Sequence, residues 1–169
     1  MANASAFENV KEQIGFCGIW CGSCVVGNGA LREITKRYAE MIDAYGLKEW
    51  GPEGLDYRTF FEGLESIEAM PLCPGCLNGG GRDGCEMKAC ASGRGIGDCG
   101  ECGETAGCHH SDVLEKMRSG AVAAGLLVKT KSADRQKLVE QWTTRLQQTW
   151  PCSVLFAADR KAANEWGKT

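Results

Sequence analysis

The chain has 169 residues, of which 43% are hydrophobic and 24% charged, with a formal net charge of −3. That is enough for one domain with a moderate core. The acidic balance argues against nucleic-acid binding, which draws its affinity from phosphate neutralisation, and metal-bound thiolates would make the chain more negative still. Eleven cysteines set the problem: ten lie between Cys17 and Cys108, and Cys152 stands apart.

Compartment decides what so many thiols mean. The opening "MANASAFENVKEQIGF" has neither a basic nor an apolar signal-peptide region, so a cytoplasmic protein is expected. The longest apolar run, "GAVAAGLLV" at 120–128, is too short for a bilayer span, and no membrane partner is expected. In a reducing compartment disulfides are rare and paired cysteines more often bind metal.

In chain order, the first feature is Cys17-Gly-Ile-Trp-Cys21-Gly-Ser-Cys24. Its CxxxCxxC spacing is that of radical S-adenosylmethionine enzymes, which hold a [4Fe–4S] cluster with one open iron. Ser23 stands where those enzymes usually carry an aromatic residue, and no β/α pattern follows, so a radical enzyme is disfavoured. The apolar positions Leu31, Ile34, Tyr38, Met41, Ile42 and Tyr45 then predict an amphipathic helix ended by Gly46. Arg32, Lys36 and Arg37 on that helix alternate with Glu33 and Glu40 and read as a solvated face. A second helix is expected behind an Asp56 cap, with Tyr57, Phe60, Phe61, Leu64 and Ile67 in one stripe and Pro71 closing it.

Between residues 73 and 108, Cys and Gly fill 18 of 36 positions. This stretch reads as irregular loop without a core of its own. Beyond it, a short helix is expected from Ser111 with Val113, Leu114 and Met117 inward. "GLLVKT" is the one candidate strand. Another helix is expected from a Ser132 cap, aligning Leu138, Val139, Trp142 and Leu146 up to Pro151, and an Ala-rich helix from about 153 to 165. The fold class is therefore mainly α: a small helical domain with irregular Cys/Gly-rich metal-binding loops and little β. The expectation is a single domain over 1–169, its metal-binding part at 14–110 and a C-terminal helical part at 111–169.

Cys73 and Cys76, and Cys99 and Cys102, are CxxC pairs, as are Cys21 and Cys24. At this spacing two sulfurs of one tight turn reach the same ion, about 2.3 Å away. With Cys17, Cys85, Cys90 and Cys108, ten thiols supply two four-thiolate zinc sites with two to spare, or an iron–sulfur cluster. Ordering the 36 loop residues costs at least about 1 kcal/mol each in backbone entropy, against roughly 10–16 kcal/mol per structural zinc. Two ions, helped by docking on the helices, are therefore expected. The preferred grouping joins Cys73, Cys76, Cys99 and Cys102 as facing knuckles and leaves Cys17, Cys21, Cys24, Cys85, Cys90 and Cys108 for the second site. A local alternative joins Cys73, Cys76, Cys85 and Cys90.

The remaining candidates read blandly. His109 and His110 could replace a thiolate, but ten Cys make them dispensable as ligands. Cys152 reads as a small buried hydrophobe. "NGGGRDG" at 78–84 lacks the Lys-Ser/Thr of a phosphate loop. Trp20, Trp50, Trp142, Trp150 and Trp166 read as core or docking residues, and Glu62 and Glu65 as solvated. No nucleophile and base pair off, so no catalytic residue is expected.

Taken together, "CGIWCGSC", "GLKEWGPEG", "FFEGLES", "CPGCLNGGGRDGCEMKACASGRGIGDCGEC" and a further Cys resemble one family. It is the cysteine-rich bacterial and archaeal family catalogued as domain of unknown function 3795, matched here over about residues 14–152. The resemblance implies zinc binding through the ten cysteines from Cys17 to Cys108 and brings no established activity. The expected function is a zinc-binding, metal-stabilised interaction module for a protein partner; the alternative is an iron–sulfur protein with a redox or enzymatic role.

Overall fold

The computed structural model describes residues 9–104 and 107–149. Six α-helices follow one another there: α1 Ala30–Ala44, α2 Leu47–Trp50, α3 Tyr57–Glu68, α4 Glu86–Arg94, α5 Ser111–Ala123 and α6 Arg135–Thr149. Among the described residues β structure amounts to two isolated antiparallel bridges, Ile14 with Trp20 and Ile19 with Val128. The architecture is mainly α. The "GLLVKT" segment makes only a brief ladder, in which Trp20 N donates to Leu127 O at 2.9 Å and Lys129 N to Gly18 O at 2.8 Å.

The periodic segments form helices close to the expected bounds. Asp56 caps α3 by accepting from Thr59 N at 3.1 Å and Thr59 Oγ1 at 2.8 Å, satisfying one of the orphan amides of the first turn. Gly46, at φ 61°, sits one residue past the α1 cap and leads directly into α2. Three details differ from expectation. Val113 is 40% exposed; on α5 it is Leu114 and Ala121 that are buried, with Met117 half-buried. Asp134 takes the role expected of Ser132, accepting from Lys137 N at 3.2 Å. Helix α4 occupies what read as loop: Glu-Met-Lys-Ala favours helix, and Gly95 in the left-handed region ends it. The Ala-rich helix expected at 153–165, Cys152 and Pro151 lie outside the described residues.

The core gathers residues far apart in sequence: Ile14, Trp20, Ala30, Leu127, Val139, Trp142 and Leu146, flanked by Val25, Ile34 and Leu138. Trp20 and Trp142 meet with ring centroids 5.6 Å apart and planes tilted by 41°. Trp20 Nε1 donates to Lys11 O at 2.6 Å, so its one polar atom is satisfied. A Cβ at Gly22 would lie 2.5 Å from this indole, which is why glycine follows Cys21. Of the other tryptophans, Trp50 is 67% exposed, and Trp150 and Trp166 lie outside the described residues.

The α1–α3 hairpin is different in kind. Tyr38 meets Phe60 edge-on at 6.4 Å, and Arg32 Nε donates to Glu68 O at 2.7 Å, closing the end of α3. No residue of α3 is buried, and Tyr38, Met41, Tyr45 and Trp50 are exposed. No helix of the described residues is long and apolar enough to cross a membrane.

Candidate metal centre

The first cysteine loop hangs from the core by its tryptophan. With Trp20 buried, the chain turns through a 3₁₀ segment, Cys21–Ser23, in which Cys24 N donates to Cys21 O at 3.1 Å. Ser23 Oγ donates to Trp20 O at 2.7 Å and accepts from Leu127 N at 3.1 Å. The residue that departs from the radical-enzyme motif is thus a latch between the loop and the 127–129 segment.

The same N-terminal stretch grips the second knuckle. Asn9 Nδ2 donates to Cys73 O at 3.1 Å and Gln13 Nε2 to Pro74 O at 2.9 Å, while Cys21 N donates to Gln13 O at 2.8 Å. Gln13 therefore sets Cys21 beside the Cys73–Cys76 turn. A hydrogen bond between the Cys76 and Cys21 side chains results; it pushes the Cys76 thiol far up and holds Cys21 below its ordinary value. Cys73 and Cys17 are the further sulfur neighbours of Cys21. The glycine run packs on these sulfurs as bare backbone. A Cβ at Gly80 would lie 2.9 Å from Cys73 Sγ, and one at Gly81 2.7 Å from Cys76 Sγ.

A second set of sulfurs forms around α4 and the loop after it. Cys85 precedes α4 and Cys90 lies within it, and Cys99 N donates to Phe16 O at 2.8 Å. The sulfur neighbours of Cys99 are Cys108, Cys17 and Cys90, and Arg94 Nη1 lies 3.8 Å from Cys102 Sγ with Cys90 also in its field. Burial pushes the Cys99 thiol up to about 11, against the pull of the Arg118 guanidinium. Cys17, whose thiol is likewise raised by burial, packs with Met87 and Leu114 in a small apolar cluster edged by Cys85 and Cys99. It has Cys76 and Cys85 as neighbours too, so it stands where the two sets meet.

By electrostatic influence Cys17, Cys21, Cys73, Cys76 and Cys85 make one set and Cys90, Cys99, Cys102 and Cys108 another, with Cys17 acting on both. Gln13 and Asn9 tie the Cys73–Cys76 knuckle to the stretch that carries Cys21, while Cys99 N is held by Phe16 O. Half-buried Cys24 follows the 3₁₀ turn. All ten described cysteines are free thiols. Among the described residues no group of three or more His, Cys, Asp or Glu is placed to hold a metal ion. The donors nonetheless suit a thiophilic cation: they are thiols, two of them packed on glycine backbone that leaves room for the sulfur. His109 is exposed, and His110 Nδ1 lies 3.0 Å from Glu86 Oε2.

Buried charged residues frame the Cys99–Cys102 turn. Asp98, fully buried, accepts through Oδ2 from Lys129 Nζ at 2.7 Å and Arg135 Nη1 at 3.2 Å, and through Oδ1 from Gly100 N at 2.8 Å. Lys129 Nζ also reaches Glu101 Oε1 at 3.2 Å, and Arg135 Nη2 donates to Ile14 O at 2.8 Å. This network fastens the Cys99–Cys102 turn to α6 and to the core. The signals were an Asp wedged between Gly97 and Cys99 and a Lys ending the apolar run "GLLV".

No curated protein and no solved structure matches the chain. A family model described as "Protein of unknown function (DUF3795)" matches residues 13–113, which takes in every cysteine of both sets. The resemblance was expected to run to about residue 152; the match ends at Val113 and leaves out α6 and Cys152. The chain belongs to the DUF3795 family.

Proposed function

We propose that this is a zinc-binding, non-enzymatic interaction module, in which metal closes the two sulfur sets and holds residues 73–108 for a protein partner. The supporting observation is that all ten described cysteines are free thiols, and that hydrogen bonds from Asn9 and Gln13 bring the Cys73–Cys76 turn to the stretch that carries Cys21. Four thiolates per zinc satisfy the tetrahedral preference of that ion. Free thiols fit the cytoplasm, where they stay reduced. The exposed Tyr38, Met41, Tyr45 and Trp50 face offers apolar area for a partner, and the net charge of −3 disfavours nucleic acid.

Elemental analysis and an absorption spectrum, on protein purified without air, test this reading. About two zinc per chain and no visible colour are expected. Brown protein with broad absorbance at about 400 nm would replace zinc with an iron–sulfur cluster, and protein free of both metals would end the metal reading.

A further inference from the structure

Helix α1 carries apolar residues on more than the side it buries. Ile34 packs against the core and Ile42 is buried, yet Tyr38, Met41 and Tyr45, at three- and four-residue steps, are 42%, 50% and 74% exposed. Trp50 extends this stripe. Its indole is exposed but pinned at the helix end, Nε1 donating to Tyr45 O at 2.7 Å. The corner that carries it is fixed by glycine, since a Cβ on Gly51 would collide with Tyr57 Oη, and Tyr38 is steadied by Phe60, edge-on at 6.4 Å. Solvated surfaces rarely gather so much apolar area in one place without a use for it. A tryptophan held in position without being buried is a preformed anchor, because docking on it costs little further ordering.

Charge selects what this face can hold. Residues 30–68 carry nine carboxylates against five cations, a net of −4, while the whole chain carries −3. Two of the five cations are already engaged, Arg32 with Glu68 O and Arg37 with Glu33. Glu40, Asp43 and Glu53 pair with no cation among the described residues, and Glu49 Oε2 lies at the Gly46 turn, 3.5 Å from where a Cβ there would sit. A second copy of the chain would set this acidic hairpin against itself. The four exposed side chains also offer only roughly 500 Å² between them, short of the about 800 Å² per partner of a standard interface. We propose that the face of Tyr38, Met41, Tyr45 and Trp50 docks a basic amphipathic segment of a partner protein, its apolar side chains on the stripe and its Lys and Arg toward these carboxylates and the aromatic rings. The proposal deepens the interaction-module reading and rests on its protein partner, not on its zinc.

The test is fluorescence anisotropy on the full chain with three labelled synthetic peptides: a Leu/Lys amphipathic helix, its Leu/Glu counterpart, and a Ser/Lys peptide of the same charge as the first. The Leu/Lys peptide should bind at least about tenfold more tightly than either of the others and weaken as salt is raised. Trp50→Ala should lose about tenfold of that affinity with an unchanged circular dichroism spectrum, and Tyr45→Ala carries the test if that variant fails to fold. Glu49→Lys/Glu53→Lys should narrow the gap between the Leu/Lys and Leu/Glu peptides. Equal binding of those two peptides to wild type, or full affinity in Trp50→Ala, would overturn the proposal. So would a wild-type dimer in sedimentation that Trp50→Ala dissolves, which gives the face to a second copy, or a gain of affinity in Leu155→Asp/Phe156→Asp, which gives it to the chain's own last residues. Metal-free protein that binds the Leu/Lys peptide would end the zinc reading alone; zinc-loaded protein indifferent to peptide charge would overturn this proposal alone.

Discussion

The Trp20–Trp142 core and the Cys/Gly stretch at 73–108 solve the ordering problem by opposite means. In the core, seven buried side chains from four parts of the chain interlock, and each contributes by leaving water. In the stretch, Met87 and Ala91 are the only buried apolar side chains among the described residues. Order there comes from backbone hydrogen bonds to Asn9, Gln13 and Phe16, from the Asp98 network and, on the zinc reading, from metal. The two regions should therefore fail under different insults. Removing metal with a strong chelator should have the largest effect, since each structural zinc carries roughly 10–16 kcal/mol of apparent binding energy. Hydrogen exchange should then show amides of 73–108 losing protection while those of Trp20 and Trp142 keep theirs. Equal protection with and without chelator would erase the distinction.

The complementary break is Trp20→Ala. Deleting this buried indole should cost about 3–5 kcal/mol in urea unfolding of the metal-loaded protein. The half-solvated Trp50 supplies the control: Trp50→Ala should stay within about 0.5 kcal/mol. If both variants cost the same, the core does not centre on Trp20.

The same contrast explains what the sequence disclosed. Helices α1, α3 and α6 were legible because a 3.6-residue apolar period leaves a direct trace, and Asp56 because a cap is a local matter. Helix α4 was hidden: it is nine residues long, weakly amphipathic and interrupted by Cys90 and Gly93. CxxC spacing pairs cysteines within one turn but says nothing of which turn lies beside which. Spacing constrains only neighbours in sequence, whereas Cys21 meets Cys76 because Gln13, elsewhere in the chain, holds both turns. Asp98 and Lys129 carry no local signal of pairing, because only the tertiary fold joins these two residues 31 positions apart.

At the seam between the regions sits Asp98, which allows the comparison to be sharpened. Lys129 is 1% exposed at its side chain and Asp98 is fully enclosed, so the pair was taken out of water at considerable cost and is held by its own geometry. Asp98→Asn removes the charge but keeps the shape, leaving Lys129 Nζ with Glu101 at 3.2 Å as its facing carboxylate. Because that carboxylate is one-third exposed, it compensates only in part, and the expected cost is about 3 kcal/mol, the low end for an orphaned buried charge. The double variant Asp98→Asn/Lys129→Met removes the orphan and should recover most of that loss, since apolar replacements of buried pairs are often neutral. Urea unfolding measures the first expectation, and hydrogen exchange at Gly100, whose N–H Asp98 accepts, reports whether the cysteine turn loosens with it. A double variant less stable than the single one would show that Lys129 supports the turn by itself, and that the core and the cysteine region are not joined through this ion pair.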